Sequence, residues 1–240
     1  MSTMNQKVLV DDLKQQIARG AVVVVTGTGV SVATCENQQV DGFPVATWPG
    51  LLKHGVHFCQ HTENALNAKE AKSLLGQIKV GETDFLIAAA ELVTARLCGK
   101  RPGAFRGWLK DSVGKLAPTQ PDIIQTLASW PVKLATLNYD RLIEAVTNRP
   151  PITWQDRDKI GDILRYGGDA VIHLHGYFDQ PDSVVLGLSS YAKVASNPHT
   201  QAVLQLFTLG RTLLFVGCGG TFQDPNFNRL IEWGREALQD

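Results

Sequence analysis

The sequence predicts an α/β fold in which a mostly parallel sheet carries helices on both faces. Two observations lead to this prediction. Short apolar runs of strand length, of which Val22–Val25 is the clearest, alternate with segments that show helical periodicity. Strands separated by helices favour right-handed crossovers and therefore parallel pairing. Three of the apolar runs also lead directly into polar or glycine-rich loops, which should emerge at one edge of such a sheet.

The first half of the chain contains one clear strand among helices. The predicted elements are, in order, a helix at 8–18, a strand at 21–25, a polar surface loop at 34–49, and helices at 48–58, 68–78, 83–97 and 104–116. Gly20 ends the first helix, and Gly55 suggests a break in the second. No strand pattern interrupts the later helices. We therefore predict a helical insertion at about 62–118 within a single domain that spans 1–240.

Strands and helices alternate in the second half. Strands are predicted at 132–136, 152–154, 170–174, 184–186 and 212–216, and helices at 121–129, 140–147, 158–166, 199–208 and 225–238. This alternation is the pattern of a parallel sheet with helical crossovers.

Composition excludes several classes of partner. Hydrophobic residues make up 44% of the chain and the formal net charge is zero, so nothing favours direct binding to nucleic acid or to an anionic membrane. No apolar stretch approaches the roughly 20 residues needed to cross a bilayer. The polar N-terminus at 1–16 lacks the apolar core of a secretion signal, and we expect a cytoplasmic location. The four cysteines form no C-x-x-C pair and are expected to be reduced, mostly buried thiols.

The run Val22–Val25 leads into the glycine loop Thr26–Ser31, of the kind that binds nucleotides. Glycines at 27 and 29 let the backbone turn tightly and approach a pyrophosphate, whose oxygens backbone N–H groups can bind. The predicted sheet is therefore Rossmann-like. Val32 replaces the third glycine of the dehydrogenase fingerprint, and no second strand ending in an acidic residue follows, which disfavours hydride transfer. For this loop alone, a tight turn without a ligand stays an alternative.

Two later loops complete a pocket with the first one. The turn Thr136–Asp140 contains Asn138, and the loop His173–Gly176 contains His175. An uncharged amide can orient a water molecule or a ribose hydroxyl, and histidine can accept a proton near neutral pH. The three loops together indicate a site that holds a dinucleotide and acts on its ribose.

These motifs, taken in order, resemble those of the sirtuins. Thr26–Ser31 resembles their T-G-A-G-I-S loop, and Thr136–Asp140 resembles their T-Q-N-I-D turn. Leu174–Gly176 resembles their L-H-G motif, in which the histidine is the catalytic base. Val216–Gly220 lies where that family has a G-T-S loop after a late strand.

The sequence departs from sirtuin deacylases in two places. Those enzymes carry a four-cysteine zinc module near the asparagine turn, whereas 140–169 contains no cysteine. The arginine of their D-F-R stretch has no counterpart, because Gly42–Leu52 occupies that region. This segment and 219–227 resemble the zinc-free branch of the superfamily, which includes NAD-hydrolysing effector domains of bacterial anti-phage systems. The resemblance implies that NAD is a substrate, that no metal is needed, and that peptide deacylation is in doubt.

The resemblance also implies a role for each motif. Asn138 and His175 would be catalytic, and Asp140 would hold the nicotinamide carboxamide. The residues expected along the phosphate and ribose path are Gly27, Thr28, Gly29 and Ser31, and those expected at the adenosine half are Gly217, Cys218 and Gly219.

Several of these side chains have a structural alternative. His173 should point to the opposite face of its strand from His175, although a shifted register would exchange the two roles. Asn138 and Ser31 can each cap a helix as well as contact a ligand. Tyr191 either reaches the mouth of the pocket or packs in the core.

Three histidines at 54, 57 and 61 share one helix face, a spacing that metal sites use. No acidic ligand lies among them, and a solvated or partly packed face is expected instead.

The leading functional hypothesis is an NAD glycohydrolase that yields nicotinamide and ADP-ribose or its cyclic form, as the effector domain of an anti-phage abortive-infection system. Such effectors are kept silent by assembly, so we expect a homo-oligomer, a separate sensor subunit or a missing C-terminal region. One alternative is a non-catalytic module that senses NAD or ADP-ribose, which would not need both Asn138 and His175. Zinc-independent deacylation or ADP-ribosyl transfer is a weaker alternative, because no motif predicts a peptide groove.

Overall fold

A computed structural model describes residues 3–61, 66–99, 103–196 and 211–219 of the chain. Five strands lie in this part: Val22–Thr26 (β1), Lys133–Thr136 (β2), Pro151–Thr153 (β3), Val171–His173 (β4) and Thr212–Val216 (β5). They form one sheet in the order β3-β4-β2-β1-β5, and all four pairings are parallel. The predicted α/β fold with a parallel sheet is confirmed.

Ten α-helices are described in the same ranges: Thr3–Ala18 (α1), Thr28–Thr34 (α2), Trp48–Gln60 (α3), Ala68–Val80 (α4), Thr83–Gly99 (α5), Ala104–Asp111 (α6), Asp122–Ala128 (α7), Leu142–Thr147 (α8), Arg157–Tyr166 (α9) and Leu188–Ala195 (α10). Local sequence explains the starts of two of them. Thr47 accepts a hydrogen bond from Gly50 N–H at the start of α3, and Asn67 and Glu70 form a capping box at the start of α4.

Helices cover both faces of the sheet, as predicted. Val22 and Val24 of β1 belong to a core cluster that includes Trp108 of α6. Val23 and Val25 belong to a second cluster that includes Ile160 of α9. Alternate strand residues point to opposite faces, so a strand that is buried on both faces is a continuous apolar run. The four consecutive valines are explained in this way.

The predicted strand at 184–186 is wrong. These residues follow a 3-10 turn at Pro181–Ser183 and pair with none of the described strands. Val185 N–H donates to the His175 carbonyl at 2.8 Å, and Leu186 N–H donates to Ser190 Oγ at 2.9 Å. Their backbone groups thus hold a buried loop against the end of β4. A short apolar run does not distinguish such a loop from a strand.

Some helix boundaries also differ from the prediction. The α3 helix continues through Gly55, where a Cβ would lie 2.8 Å from Val93 Cγ1, so glycine here permits close packing instead of a break. The α6 helix ends at Asp111, and the α2 helix, which begins at Thr28 within the predicted glycine loop, was not predicted. The predicted helices at 199–208 and 225–238 lie outside the described residues.

The helices between β1 and β2 pack on the sheet. Leu74 of α4 and Leu86 of α5 belong to the same core cluster as Val22 and Val24. The limits of a helical insertion at about 62–118 stay a prediction. Within the described ranges, no helix combines the length and the apolar character needed to cross a membrane.

Candidate active site

The register of the sheet places the carboxyl ends of four strands side by side. Thr26 pairs with Thr136 on one side and with Val216 on the other, and Thr136 pairs with His173. The segments that follow these four residues are the four loops that carry the motifs. They therefore leave the sheet at its carboxyl edge, where open α/β sheets bind their ligands.

A cavity of about 270 Å³ opens at this edge. Its wall contains four of the predicted site residues, Thr28, Asn138, Asp140 and His175. The remaining wall is largely apolar and includes Val45, Ala46, Trp48, Pro49, Leu51, Leu86, Val113 and Tyr191. An apolar concave site with a few convergent polar groups is the usual form of a small-molecule site.

Asn138 is held in one orientation by the first loop. Its Nδ2 donates to the Gly27 carbonyl at 2.9 Å and to Ser31 Oγ at 2.7 Å. Because a carbonyl only accepts, the amide nitrogen must face Gly27, and this assigns the other terminal atom as Oδ1. Oδ1 is buried and has no hydrogen-bond partner among the described residues. Asn138 therefore lines the cavity and has a buried acceptor that no described residue satisfies.

Asp140 is linked to the same network. Its Oδ2 accepts from Ser31 Oγ at 2.6 Å, and its Oδ1 accepts from the backbone N–H of Leu142 at 3.0 Å, at the start of α8. Burial raises the pKa of this carboxyl, while the two hydrogen bonds act in the opposite direction. Ser31 therefore joins the side chains of Asn138 and Asp140 by direct hydrogen bonds.

Asp140→Asn is expected to raise the free energy of unfolding at pH 7, because the fold then no longer buries a charge. The gain should shrink as the pH falls toward 4. A carboxyl whose pKa is raised in the fold binds its proton there before it does in the unfolded chain, so wild type recovers stability at low pH. Urea unfolding of both proteins across this pH range measures the difference.

The matched control is Asp179→Asn, because this carboxyl is exposed and the Lys110 and Arg106 side chains lower its pKa. That variant should change the free energy of unfolding by less than about 1 kcal/mol. An Asp140→Asn variant that is less stable than wild type at pH 7 would contradict the cost assigned to the buried charge.

His175 and His173 occupy different environments. His175 lines the cavity, with 5% of its surface exposed, and its ring meets the Tyr191 ring edge-on at 6.1 Å. His173 is fully buried, and its ring nitrogens face the Asn138 carbonyl and Glu144. Tyr191 is both buried and part of the cavity wall, so its two alternatives are compatible.

The glycine loop packs closely on the loop after β5. Gly27 N–H donates to the Val216 carbonyl at 2.9 Å, and Gly29 N–H donates to the Gly217 carbonyl at 2.8 Å. A Cβ on Gly27 would lie 2.8 Å from Gly217 O, and one on Gly29 would lie 2.9 Å from the same atom. These glycines are therefore needed for the contact between the two loops, and their N–H groups are engaged there.

The loop after β5 presents its backbone, because the Cys218 side chain is turned inward. Its thiol is buried 3.5 Å from the Val25 carbonyl, and burial raises its pKa to about 11. Gly217 and Gly219 are exposed. Any ligand contact at Cys218 would thus come from the main chain.

Sequence reasoning missed the wall formed by the start of α3. Trp48 lies in this wall, and its buried Nε1 has no partner among the described residues. The chain turns toward the site here because Thr47 caps α3, with its Oγ1 accepting from Gly50 N–H and donating to the Pro44 carbonyl. The Thr47–Trp48–Pro49 sequence is a recognisable helix start, but nothing in it indicates which sheet edge the helix faces.

The histidines at 54, 57 and 61 do not converge on one point. His54 is buried, with Nδ1 accepting from Trp108 Nε1 at 3.0 Å and Nε2 lying 3.3 Å from Asp41 Oδ2. His57 and His61 are exposed, with ring centroids 4.3 Å apart. Across the part of the chain that the structure describes, no group of three or more His, Cys, Asp or Glu residues is placed to hold a metal ion.

Comparison with known proteins shows which proteins this chain is similar to. Residues 132–240 match the family model of the SIR2-like domain. The second half of the chain is therefore similar to a SIR2-like domain. This confirms the resemblance predicted from the motifs, although the glycine loop at 26–31 lies outside the matched range.

Two relatives extend the comparison. The NAD(+) hydrolase ThsA of Enterococcus faecium is 26% identical over 243 aligned residues, which cover 99% of this chain and 45% of that protein. The Defense-associated sirtuin 2 of Bacillus subtilis is 28% identical over 149 aligned residues, which cover 57% of this chain and 14% of that protein. The chain therefore spans less than half of the length of either relative.

Proposed function

We propose that this domain is an NAD glycohydrolase, which cleaves NAD to nicotinamide and ADP-ribose or its cyclic form. One observation carries the proposal: Asn138, whose Oδ1 has no partner among the described residues, lines the same cavity as His175. A buried acceptor without a partner is costly unless a ligand or water supplies the donor. A ribose hydroxyl or the attacking water is such a donor.

The reaction needs little from the protein besides positioning and a base. The bond between the ribose C1′ and the nicotinamide nitrogen breaks, and its electron pair stays on the nitrogen, which becomes neutral. Water adds to C1′ and its proton passes to His175. Asn138 holds a ribose hydroxyl or the water without placing a full positive charge beside the developing cation.

The neighbouring residues suit the other parts of NAD. Asp140 lines the cavity next to Asn138, where its carboxylate can accept a hydrogen bond from the nicotinamide carboxamide. Thr28 lies in the same wall, and Ser31 is hydrogen-bonded to the side chains of both Asn138 and Asp140. The exposed backbone of Gly217 and Gly219 continues the same edge and is proposed to meet the adenosine half.

The biological setting is part of the same proposal. The two relatives are named as an NAD(+) hydrolase and as a defense-associated sirtuin, which supports an effector domain of an anti-phage abortive-infection system. NAD cleavage would deplete the cell of NAD, so the activity must be controlled. We propose control by homo-oligomer formation, by a separate sensor subunit or by a further region of a longer chain, acting in the cytoplasm.

Incubation of the protein with NAD tests the proposal directly. We expect nicotinamide to appear in step with the loss of NAD, measured by chromatography over a range of protein concentrations that allows for assembly. NAD binding by calorimetry without nicotinamide release at any concentration would contradict the proposal and favour a sensor module. Release that depends on an acylated peptide would favour deacylation.

A further inference from the structure

A buried histidine–glutamate pair contacts the backbone of Asn138. Nε2 of His173 lies 2.6 Å from Glu144 Oε1, and Nδ1 lies 3.1 Å from the Asn138 carbonyl oxygen. The His173 side chain is fully buried, and 11% of the Glu144 side chain is exposed. Glu144 lies on α8, which starts immediately after the asparagine turn, so the pair connects β4, α8 and that turn.

The hydrogen bonds of the pair place one proton on Nδ1 of His173. A backbone carbonyl only accepts, so His173 Nδ1 must carry the proton in that contact. A second proton lies in the 2.6 Å contact between Nε2 and Glu144 Oε1. Glu144 Oε2 is buried without a partner in the described ranges, so this carboxyl depends on His173 for its hydrogen bond. Removal of either member would leave the other buried and uncompensated.

All polar atoms of Asn138 except the side-chain oxygen Oδ1 have a hydrogen-bond partner. Its backbone N–H donates to Thr136 Oγ1 at 3.1 Å, its carbonyl accepts from His173, and its Nδ2 donates to Gly27 and Ser31. Oδ1 alone has none among the described residues. The first loop therefore fixes the amide side chain, while His173 fixes the peptide group that carries it.

We infer that Glu144 and His173 are positioning residues, which hold the Asn138 backbone so that Oδ1 faces the nicotinamide ribose. The inference rests on the proposed function. In this account His173 supports the site and does not replace His175 as the base. Glu144 also gains a role, which no sequence motif indicated. Neither residue touches the substrate in this account.

The test compares Glu144→Ala with Glu144→Gln. Loss of the carboxylate in the alanine variant frees the imidazole, and kcat for nicotinamide release should fall about 10- to 100-fold, as expected for a misplaced reacting group. KM should stay within about threefold of wild type, because the interaction of Asn138 is needed mainly in the transition state. Glutamine can donate to a neutral His173 while Nδ1 still donates to Asn138, so this variant should restore kcat to within about threefold.

The matched control is Asp41→Asn, which alters a second histidine–carboxylate contact, the one with His54 at 3.3 Å. Neither of these residues lines the cavity, and kcat should not change. Asparagine also tolerates the φ of +51° that Asp41 adopts.

Three results would overturn the inference. They are an unchanged kcat in Glu144→Ala, a loss that appears only in KM, and a failure of glutamine to restore kcat. If wild type does not cleave NAD, the proposed function fails separately. Hydrogen exchange then tests the pair. The amides of Asn138 and Tyr139 should exchange faster in Glu144→Ala and regain protection in Glu144→Gln, and equal rates in all three proteins would refute the role.

Discussion

Replacing His175 with alanine is expected to lower kcat for nicotinamide release by about 100- to 10,000-fold, the range expected when a general base is lost. His175 is the only histidine among the described residues of the cavity wall, and imidazole accepts a proton near neutral pH. Asp140, the carboxyl in the same wall, already accepts hydrogen bonds from Ser31 and from the Leu142 N–H. Single-turnover release of nicotinamide at saturating NAD measures the effect without a contribution from product release.

The matched control for this prediction is His61→Ala. His61 is exposed at the C-terminal end of α3, its Nδ1 faces the carbonyl of His57, and it lies outside the cavity wall. Its loss should leave kcat unchanged, whereas Asn138→Ala should lower kcat by at least about 10-fold. If His175→Ala and His61→Ala release nicotinamide at the same rate, His175 is not the base.

Gly176→Ala is expected to lower the free energy of unfolding by at least about 3 kcal/mol, through backbone strain and overpacking together. Gly176 has a φ of +92°, which favours glycine, and a Cβ there would lie 2.2 Å from the Ser183 carbonyl oxygen. That carbonyl also accepts from Trp154 Nε1 at 2.6 Å, so it cannot move away without breaking a buried hydrogen bond. Activity should fall as well, because the loop carries His175.

Gly161→Ala provides the comparison for this variant. Gly161 lies inside α9, and a Cβ there would have no neighbour within 4 Å. Alanine should therefore raise the free energy of unfolding by about 0.5–1 kcal/mol, through helix propensity. Urea unfolding curves for the two variants should shift in opposite directions, and coincidence of the Gly176→Ala curve with wild type would contradict the packing argument.

Features encoded locally could be predicted from the sequence. The valine run of β1 indicates a strand that is buried on both faces, and the residues that follow parallel strands must share one edge. For this reason Asn138, Asp140 and His175 could be expected in one place, and the structure brings them into one cavity wall. Strand alternation does not explain the different environments of His173 and His175, because residues two apart lie on the same face of a strand. They differ because β4 ends at His173 and His175 lies in the loop that follows.

Features that depend on long-range packing could not be predicted. Trp48 reaches the cavity because α3 packs beside the sheet, and no local pattern specifies that placement. The contact between His173 and Glu144 joins a strand to a helix 29 residues earlier in the chain. The apolar run 184–186 was wrongly predicted as a strand, because a buried loop and a buried strand can have the same composition.

The most direct measurement is a structure with NAD or a slowly cleaved analogue bound. The account predicts that the nicotinamide ribose lies between Asn138 and His175. Oδ1 of Asn138 should lie within about 3.2 Å of a ribose hydroxyl or the attacking water, and an imidazole nitrogen of His175 should lie within similar reach of that water. A ribose bound away from this cavity, or an Asn138 Oδ1 paired with another protein group in the complex, would contradict the account.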